Sequence, residues 1–301
     1  MLSNSDHNGL SVPVHSLIGK KGISFYLTCL YSLQFFSADP VHFVIHSDGS
    51  LDDEDYSVIR KRLGADTVFI SREDANEKVC ELLEKYPNCL RLRKDSIWGI
   101  EMFDYHLLEP DSLSFWCDAD VRFFRPYSGL FTRRTAQDNC VFIKDTAWHA
   151  YTFLPNHLFG KNALKVCAGI NTGMNILDKK YYDLEFVDWF LGKNEFFRIP
   201  EWVVPSCYAA LGGRCRSSFV KPQQLLNLYP NARISGETFA GHFLSSYRNE
   251  RMPLFEEDWE GRNREAYPIQ AEIIPCRYLG PIEYAGNLIK RKIANRFGLY
   301  F

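Results

Sequence analysis

Three short apolar β runs, separated by two helix patterns, open the chain, and this alternation restricts the fold more than any other feature. Residues 14–18 read as a strand. Residues 24–36 read as a helix with Phe25, Leu27, Cys29, Leu30 and Leu33 available for burial. Residues 41–45 form a second β run that ends at the turn signal Asp48-Gly49. Ser50 is the expected N-cap of a helix through Leu63, with Asp52 to Asp55 favouring its first turn. Gly64 closes that helix, and residues 67–70 are the third strand. Strand, helix, strand, helix, strand is the order of an α/β sheet.

The same logic predicts helices over 71–86 and 96–108, the second with Ile100, Phe103, Leu107 and Leu108 on one stripe. A fourth strand then stops at Asp118-Ala119-Asp120. Residues two apart in an extended strand point the same way, so the two carboxylates can reach one site. Close carboxylates repel unless a proton or cation lies between them. Hard divalent cations take oxygen ligands and often bridge a carboxylate to substrate phosphates. Taken alone, the tripeptide also suits an Asp-rich surface turn. Its place at a strand's carboxyl end, where ligands gather in open α/β sheets, favours the cation.

Composition removes several classes. A net charge of −2 excludes a general nucleic-acid binder. No run of 18 apolar residues predicts a membrane span, and residues 1–15 lack the apolar centre of a signal peptide. The nine cysteines are odd in number and contain no Cys-x-x-Cys, so they are expected to be reduced thiols of a cytoplasmic protein. Beyond Pro126, strands are expected at 141–143 and 167–177, an irregular aromatic loop at 148–159, and helices at 181–191 and 203–211. Residues 250–275 read as polar and irregular.

Four stretches in this order, His46-Ser-Asp-Gly-Ser-Leu51, Asp118-Ala-Asp120, Asn171-Thr-Gly173 and His242-Phe243, resemble the GT-A fold glycosyltransferases. The likeness is to bacterial enzymes of the glycogenin and lipopolysaccharide-galactosyltransferase type, and it spans residues 14–251. It implies a Rossmann-like α/β nucleotide-diphospho-sugar transferase fold at 14–251, followed by a small C-terminal helical appendage at 252–301. It further implies a UDP-sugar or similar donor, a glycan or lipid-linked acceptor, and Mn2+ or Mg2+ as cofactor. Carried over by motif, Asp118, Asp120 and His242 become the metal ligands. His15, Leu17, Lys20, Arg93, Lys94 and Ala119 become nucleotide contacts. Asn171 and Gly173 fall to the donor sugar, and Arg248 to the diphosphate. The resemblance implies transfer with retention and assigns no catalytic side chain.

One departure stands out. The related retaining enzymes often carry an acidic residue and Gln where this chain has Pro205-Ser206-Cys207. A catalytically silent nucleotide- or glycan-binding scaffold of the same fold is therefore the alternative. Two rival enzyme classes fit poorly. A haloacid-dehalogenase phosphatase normally continues its Asp-x-Asp with x-Thr or x-Val, whereas Val121-Arg122 follows here. Gly19-Lys-Lys-Gly22 is a poor substitute for the Gly-rich loop of a sugar-1-phosphate nucleotidyltransferase. Finally, residues 288–301 form a basic amphipathic tail. Ile289, Ile293 and Phe297 share one helical stripe, and Lys290, Arg291, Lys292 and Arg296 supply the charge. That pattern suits peripheral contact with the inner face of a membrane, with a helix packed on its own domain or a disordered basic end as the alternatives.

Overall fold

The computed structural model describes residues 11–137, 139–146, 150–161, 163–193 and 200–297. The opening alternation is present: β1 (Val12–Ile18), α1 (Ile23–Phe36), β2 (Val41–Ser47), α2 (Asp53–Leu63) and β3 (Val68–Ile70). β1 pairs with β2 and β2 with β3, both in parallel. The cap of α2 is Asp52, not Ser50. Asp52 and Asp55 each accept the other's backbone N–H, a reciprocal arrangement that satisfies two orphan donors. Ser50 instead accepts the Lys20 N–H and donates to Asp48.

The helix expected over 71–86 is shorter. α3 (Arg72–Leu82) starts at its Ser71 cap, and α4 (Pro87–Asp95), not foreseen from the sequence, follows it. Proline suits a first helical turn, whose N–H groups have no intrahelical partner. α5 (Ile97–Leu108) leads into β4 (Leu113–Cys117), which joins β1 on the side away from β2. β4 is buried throughout, as a strand covered on both faces must be.

After the two aspartates come β5 (Val121–Phe123), β6 (Tyr127–Ser128), α6 (Arg133–Ala136), β7 (Cys140–Lys144), β8 (Ile170–Asp178), α7 (Leu184–Leu191) and α8 (Val203–Gly212). Then follow β9 (Ser217–Val220), β10 (Leu225–Asn227), β11 (Ala240–His242), α9 (Arg248–Glu256), α10 (Trp259–Asn263), β12 (Ile269–Gln270), β13 (Ile273–Pro275) and α11 (Pro281–Phe297). Of the loop expected at 148–159, Trp148 and His149 lie outside the described residues, while Tyr151 and Phe153 are buried.

Eight strands make one mixed sheet in the order β13-β9-β7-β8-β4-β1-β2-β3. β8 runs antiparallel to both neighbours. A smaller sheet, β10-β11-β5, sits beside it. Alternate residues feed two apolar clusters. Phe115, Val141 and Ile176 pack with Leu27, Leu30 and Leu33 of α1. Phe142, Leu177 and Phe219 pack with Phe103 of α5 and Cys207 and Leu211 of α8. Each such side chain contributes about 1.5–3 kcal/mol of burial.

The expected C-terminal helix is α11, held by buried Tyr284 and Ala294. Residue 252 is not a structural break. The stretch read as irregular holds α9, α10, β12 and β13, and β13 pairs with β9 at the edge of the main sheet.

Candidate functional site

The centre of the site is the turn that joins β4 to β5. The Asp118 N–H donates to the Gly173 carbonyl at 2.8 Å, and the Val121 N–H closes the turn on the Asp118 carbonyl at 3.1 Å. Asp118 and Asp120 therefore converge because a turn folds them together, not because they alternate along a strand. β11 pairs antiparallel with β5, with His242 opposite Val121, and the Phe243 N–H donates to the Asp120 carbonyl. This backbone ladder delivers the His242 ring to the carboxylates. Nε2 lies 3.1 Å from Asp120 Oδ1 and 3.8 Å from Asp118 Oδ2.

The ring's tautomer follows from its other neighbour. Asn171 Oδ1 accepts the Gly173 N–H at 2.9 Å, which fixes the amide's orientation. The same oxygen lies 3.1 Å from His242 Nδ1, so Nδ1 carries the proton. In the neutral ring, Nε2 then presents a lone pair to two carboxylates. Asp120 Oδ1 is buried and makes no hydrogen bond. Such an arrangement is unfavourable unless a proton or a cation lies within it. One ligand atom from each of Asp118, Asp120 and His242 lies within 4.8 Å of the others, a grouping that can hold a metal ion. Nitrogen and carboxylate donors together fit a borderline divalent metal, and the Asn171 bond is the support a ligating histidine normally has.

Electrostatics follow the same geometry. Burial pushes the Asp118 carboxyl well up, and the charges of Glu101 and Asp120 push it further. Burial also works to raise Asp120, but His242 and Arg248 outweigh it and hold this carboxyl below the usual range. Burial works to lower His242, and Asp120 outweighs it to raise the imidazole. Arg248 Nη2 donates to Asp120 Oδ2 at 2.6 Å, and Trp116 Nε1 to Asp118 Oδ1 at 2.6 Å.

The remaining residues named from the sequence divide. Ala119 is buried at the turn between the two aspartates, and Leu17 is half-buried near the end of β1. Lys20 is exposed but pairs with Asp52 and Asp55, so its charge is tied to the start of α2. Lys94 is exposed on the last turn of α4. Two expectations need correcting. The His15 side chain is buried, bridging His46 and Glu109 at 2.9 Å each, so both ring nitrogens are engaged within the protein. Arg93 is fully buried, with Nε and Nη2 on Asp104 at 2.5 and 2.7 Å and Nη1 on Asn76. An ion pair between adjacent helices consumes that guanidinium.

Gly173 also has a different reason from the one expected. A Cβ there would meet the His242 ring at 2.5 Å, so the missing side chain makes room for the histidine. β8 bulges here: Phe142 pairs with Asn175 but Ile143 with Asn171. Pro205-Ser206-Cys207 lies in α8, where Ser206 and Cys207 are fully buried and Ser206 accepts the Thr152 N–H. The sequence reading missed Glu101. It sits in α5, is buried and is pushed up to about 7 by that burial. Its signal was a carboxylate beside Ile100 on a helix that also buries Asp104, Tyr105 and His106.

No family model matches this sequence, and no curated relative matches it. Solved structures do match. One is the galactosyltransferase LgtC in complex with donor and acceptor sugar analogs, at 12% identity over 76% of this chain and 86% of that one, with a TM-score of 0.44. The glycosyltransferase GlyE of Streptococcus pneumoniae TIGR4 is 11% identical over 84% of this chain and 62% of its own, TM-score 0.47. Core-mannan synthase A (CmsA/Ktr4) of Aspergillus fumigatus, in an Mn/GDP form, is 11% identical over 70% and 72%, TM-score 0.42.

Proposed function

We propose that the group Asp118, Asp120 and His242 binds a nucleoside-diphosphate sugar with a divalent cation and that the protein transfers the sugar to an acceptor hydroxyl. The supporting observation is the fixed tautomer of His242. With Nδ1 committed to Asn171, Nε2 lies 3.1 Å from Asp120 Oδ1 and 3.8 Å from Asp118 Oδ2, a donor set that asks for a proton or a cation. Asp118, Asp120 and His242 would hold Mn2+ or Mg2+, with Asn171 fixing the ring. When bound, the cation neutralises charge on the departing diphosphate. Arg248, already on Asp120, adds a second positive group where phosphate oxygens would lie. Leu17, Lys20, Lys94 and Ala119 border the nucleotide in this reading, and His15 and Arg93 do not. A UDP-sugar is the proposed donor, a glycan or lipid-linked glycan the acceptor, and retention the stereochemical outcome. The transferase unit runs from residue 14 through β13.

Calorimetry tests this directly. The chain should bind UDP with Mn2+ present and not without it, and Asp120→Ala should lose that binding while melting cooperatively. Wild-type protein that ignores UDP and Mn2+ together would remove the transferase reading. Binding without hydrolysis of any UDP-sugar in a panel would favour the silent scaffold, for which the buried Pro205-Ser206-Cys207 segment is the motivation.

The tail supports a peripheral contact with anionic lipid on the cytoplasmic face. Among the described residues no helix is long and apolar enough to cross a membrane. α11 packs inward through Tyr284, Leu288 and Ala294. Ile282, Ile289 and Ile293 are 81%, 60% and 45% exposed, beside exposed Lys290 and Lys292. The side chain of Phe297 and residues 298–301 lie outside the described residues. Each cation near an anionic surface contributes about 1 kcal/mol. Replacing the three isoleucines with serine should reduce sedimentation with anionic liposomes, and equal sedimentation would count against the contact.

A further inference from the structure

We propose that Cys140 and Cys215 are a modification site: a small-molecule disulfide such as oxidised glutathione converts the two thiols into a reversible disulfide that staples the start of β7 to the chain entering β9. This is independent of the transferase reading above.

The sheet builds the pair. β7 and β9 are parallel neighbours with Cys140 opposite Ser217, and the Cys140 N–H donates to the Arg216 carbonyl at 3.0 Å. That register brings Cys215 beside Cys140, with the two Sγ atoms 3.4 Å apart. A disulfide holds its sulfurs at about 2.04 Å, so they must close by about 1.4 Å. Cys215 sits in the bend between α8 and β9, outside any strand, and can supply that movement. Exposure separates the two residues. Cys140 is 1% exposed, whereas Cys215 is part-exposed between the exposed Arg214 and Arg216. An incoming oxidant therefore meets Cys215 first.

Charge agrees with that order. The hydrogen bond from the Cys140 thiol holds the Cys215 thiol below its usual range against the opposing effect of burial, and Ser217 and Arg214 act the same way. The thiolate is the attacking species. It bonds to one sulfur of oxidised glutathione and expels one glutathione thiolate. Cys140 then loses its proton, and its sulfur attacks Cys215 Sγ and expels the second glutathione. Two protein thiols are oxidised, one small disulfide is reduced, and the two protons end on the two glutathione thiols. A structural zinc site takes four ligands, and among the described residues these thiols belong to no grouping that can hold a metal. The closed loop spans 75 residues and includes Asn171 and Gly173. A cross-link of that span restricts the unfolded chain, so the linked form should resist unfolding.

The test incubates native wild type, Cys140→Ala and Cys215→Ser with oxidised glutathione, alkylates the remaining thiols and maps every cysteine by mass spectrometry. Wild type should lose two of its nine thiols and yield a peptide pair joining Cys140 to Cys215, which dithiothreitol reverses. Cys140→Ala should stop at a glutathione adduct on Cys215, and Cys215→Ser should form neither product. The linked wild type should melt about 5 °C above the reduced protein. The wild-type map decides the matter even if a variant fails to fold. Retention of all nine thiols, a disulfide at another pair in place of this one, or an adduct on wild-type Cys215 that never closes would overturn the site. A linked protein that melts no higher than the reduced one would overturn the staple.

Discussion

Gly173→Ala is a sharp test of the site because it changes one methyl group and touches one ring. A Cβ at this position would sit 2.5 Å from His242 Cε1 and Nδ1 and 3.0 Å from Nε2. Ordinary contact begins at 3.4 Å, so the ring must retreat by about 0.9 Å. The Nδ1 to Asn171 bond is 3.1 Å, and the retreat stretches it to about 4 Å, past bonding range. Gly173 needs no left-handed backbone, so the penalty falls on the histidine alone. Crowding costs about 1–3 kcal/mol and the lost bond about 1 kcal/mol. Loss of the bond that orients a ligating histidine lowers metal affinity by about 10–100-fold. Titration of Mn2+ into protein mixed with excess UDP reads the second effect and thermal melting the first. Gly286→Ala serves as control, since nothing lies within 4 Å of its added methyl. Wild-type Mn2+ affinity in Gly173→Ala would refute the placement of His242 as a ligand braced by Asn171.

Two further outcomes are expected. The imidazole of His242 is raised by Asp120, so in the metal-free protein it stays protonated to a higher pH than a free histidine. The stability this pair supplies is fully present below the unfolded histidine value of about 6.5 and is lost as pH rises through the raised value. A cation must displace that proton, so Mn2+ affinity should fall as pH drops below the raised value, and the melting shift caused by Mn2+ should grow with pH. A pH-independent shift would speak against His242 as a ligand. Asp104→Ala leaves Arg93 buried with only Asn76 as partner and should cost about 3–5 kcal/mol in denaturant unfolding; a loss under about 1 kcal/mol would show that water reaches the guanidinium.

The sequence disclosed what rests on local order. The opening alternation and the end of β4 just before Asp118 emerge where expected, because strand periodicity is a property of short segments. Side-chain partners across elements were not readable. Arg93 looked like a nucleotide contact until Asp104, on the next helix, proved to hold it. The resemblance assigns His15 to the nucleotide, but β1 carries its ring into a buried chain with His46 and Glu109. The Asp52 cap shows the same limit on a small scale. Ser50 and Asp52 are both good N-cap residues, and the reciprocal bond from Asp55 decides between them.

The pairing of β11 with β5 fixes when the cation site can exist during the life of a chain. Asp120 is synthesised long before its neighbours in the site: Arg248 lies 128 positions later, and His242 is 71 positions beyond Asn171. A nascent chain that has not yet produced β11 carries both aspartates but neither the imidazole nor the strand that clasps β5. Such a chain can display the two carboxylates to a cation only as a loose pair. If the group holds a cation as proposed, its capture waits for the chain to reach His242 and is a late event in biosynthesis.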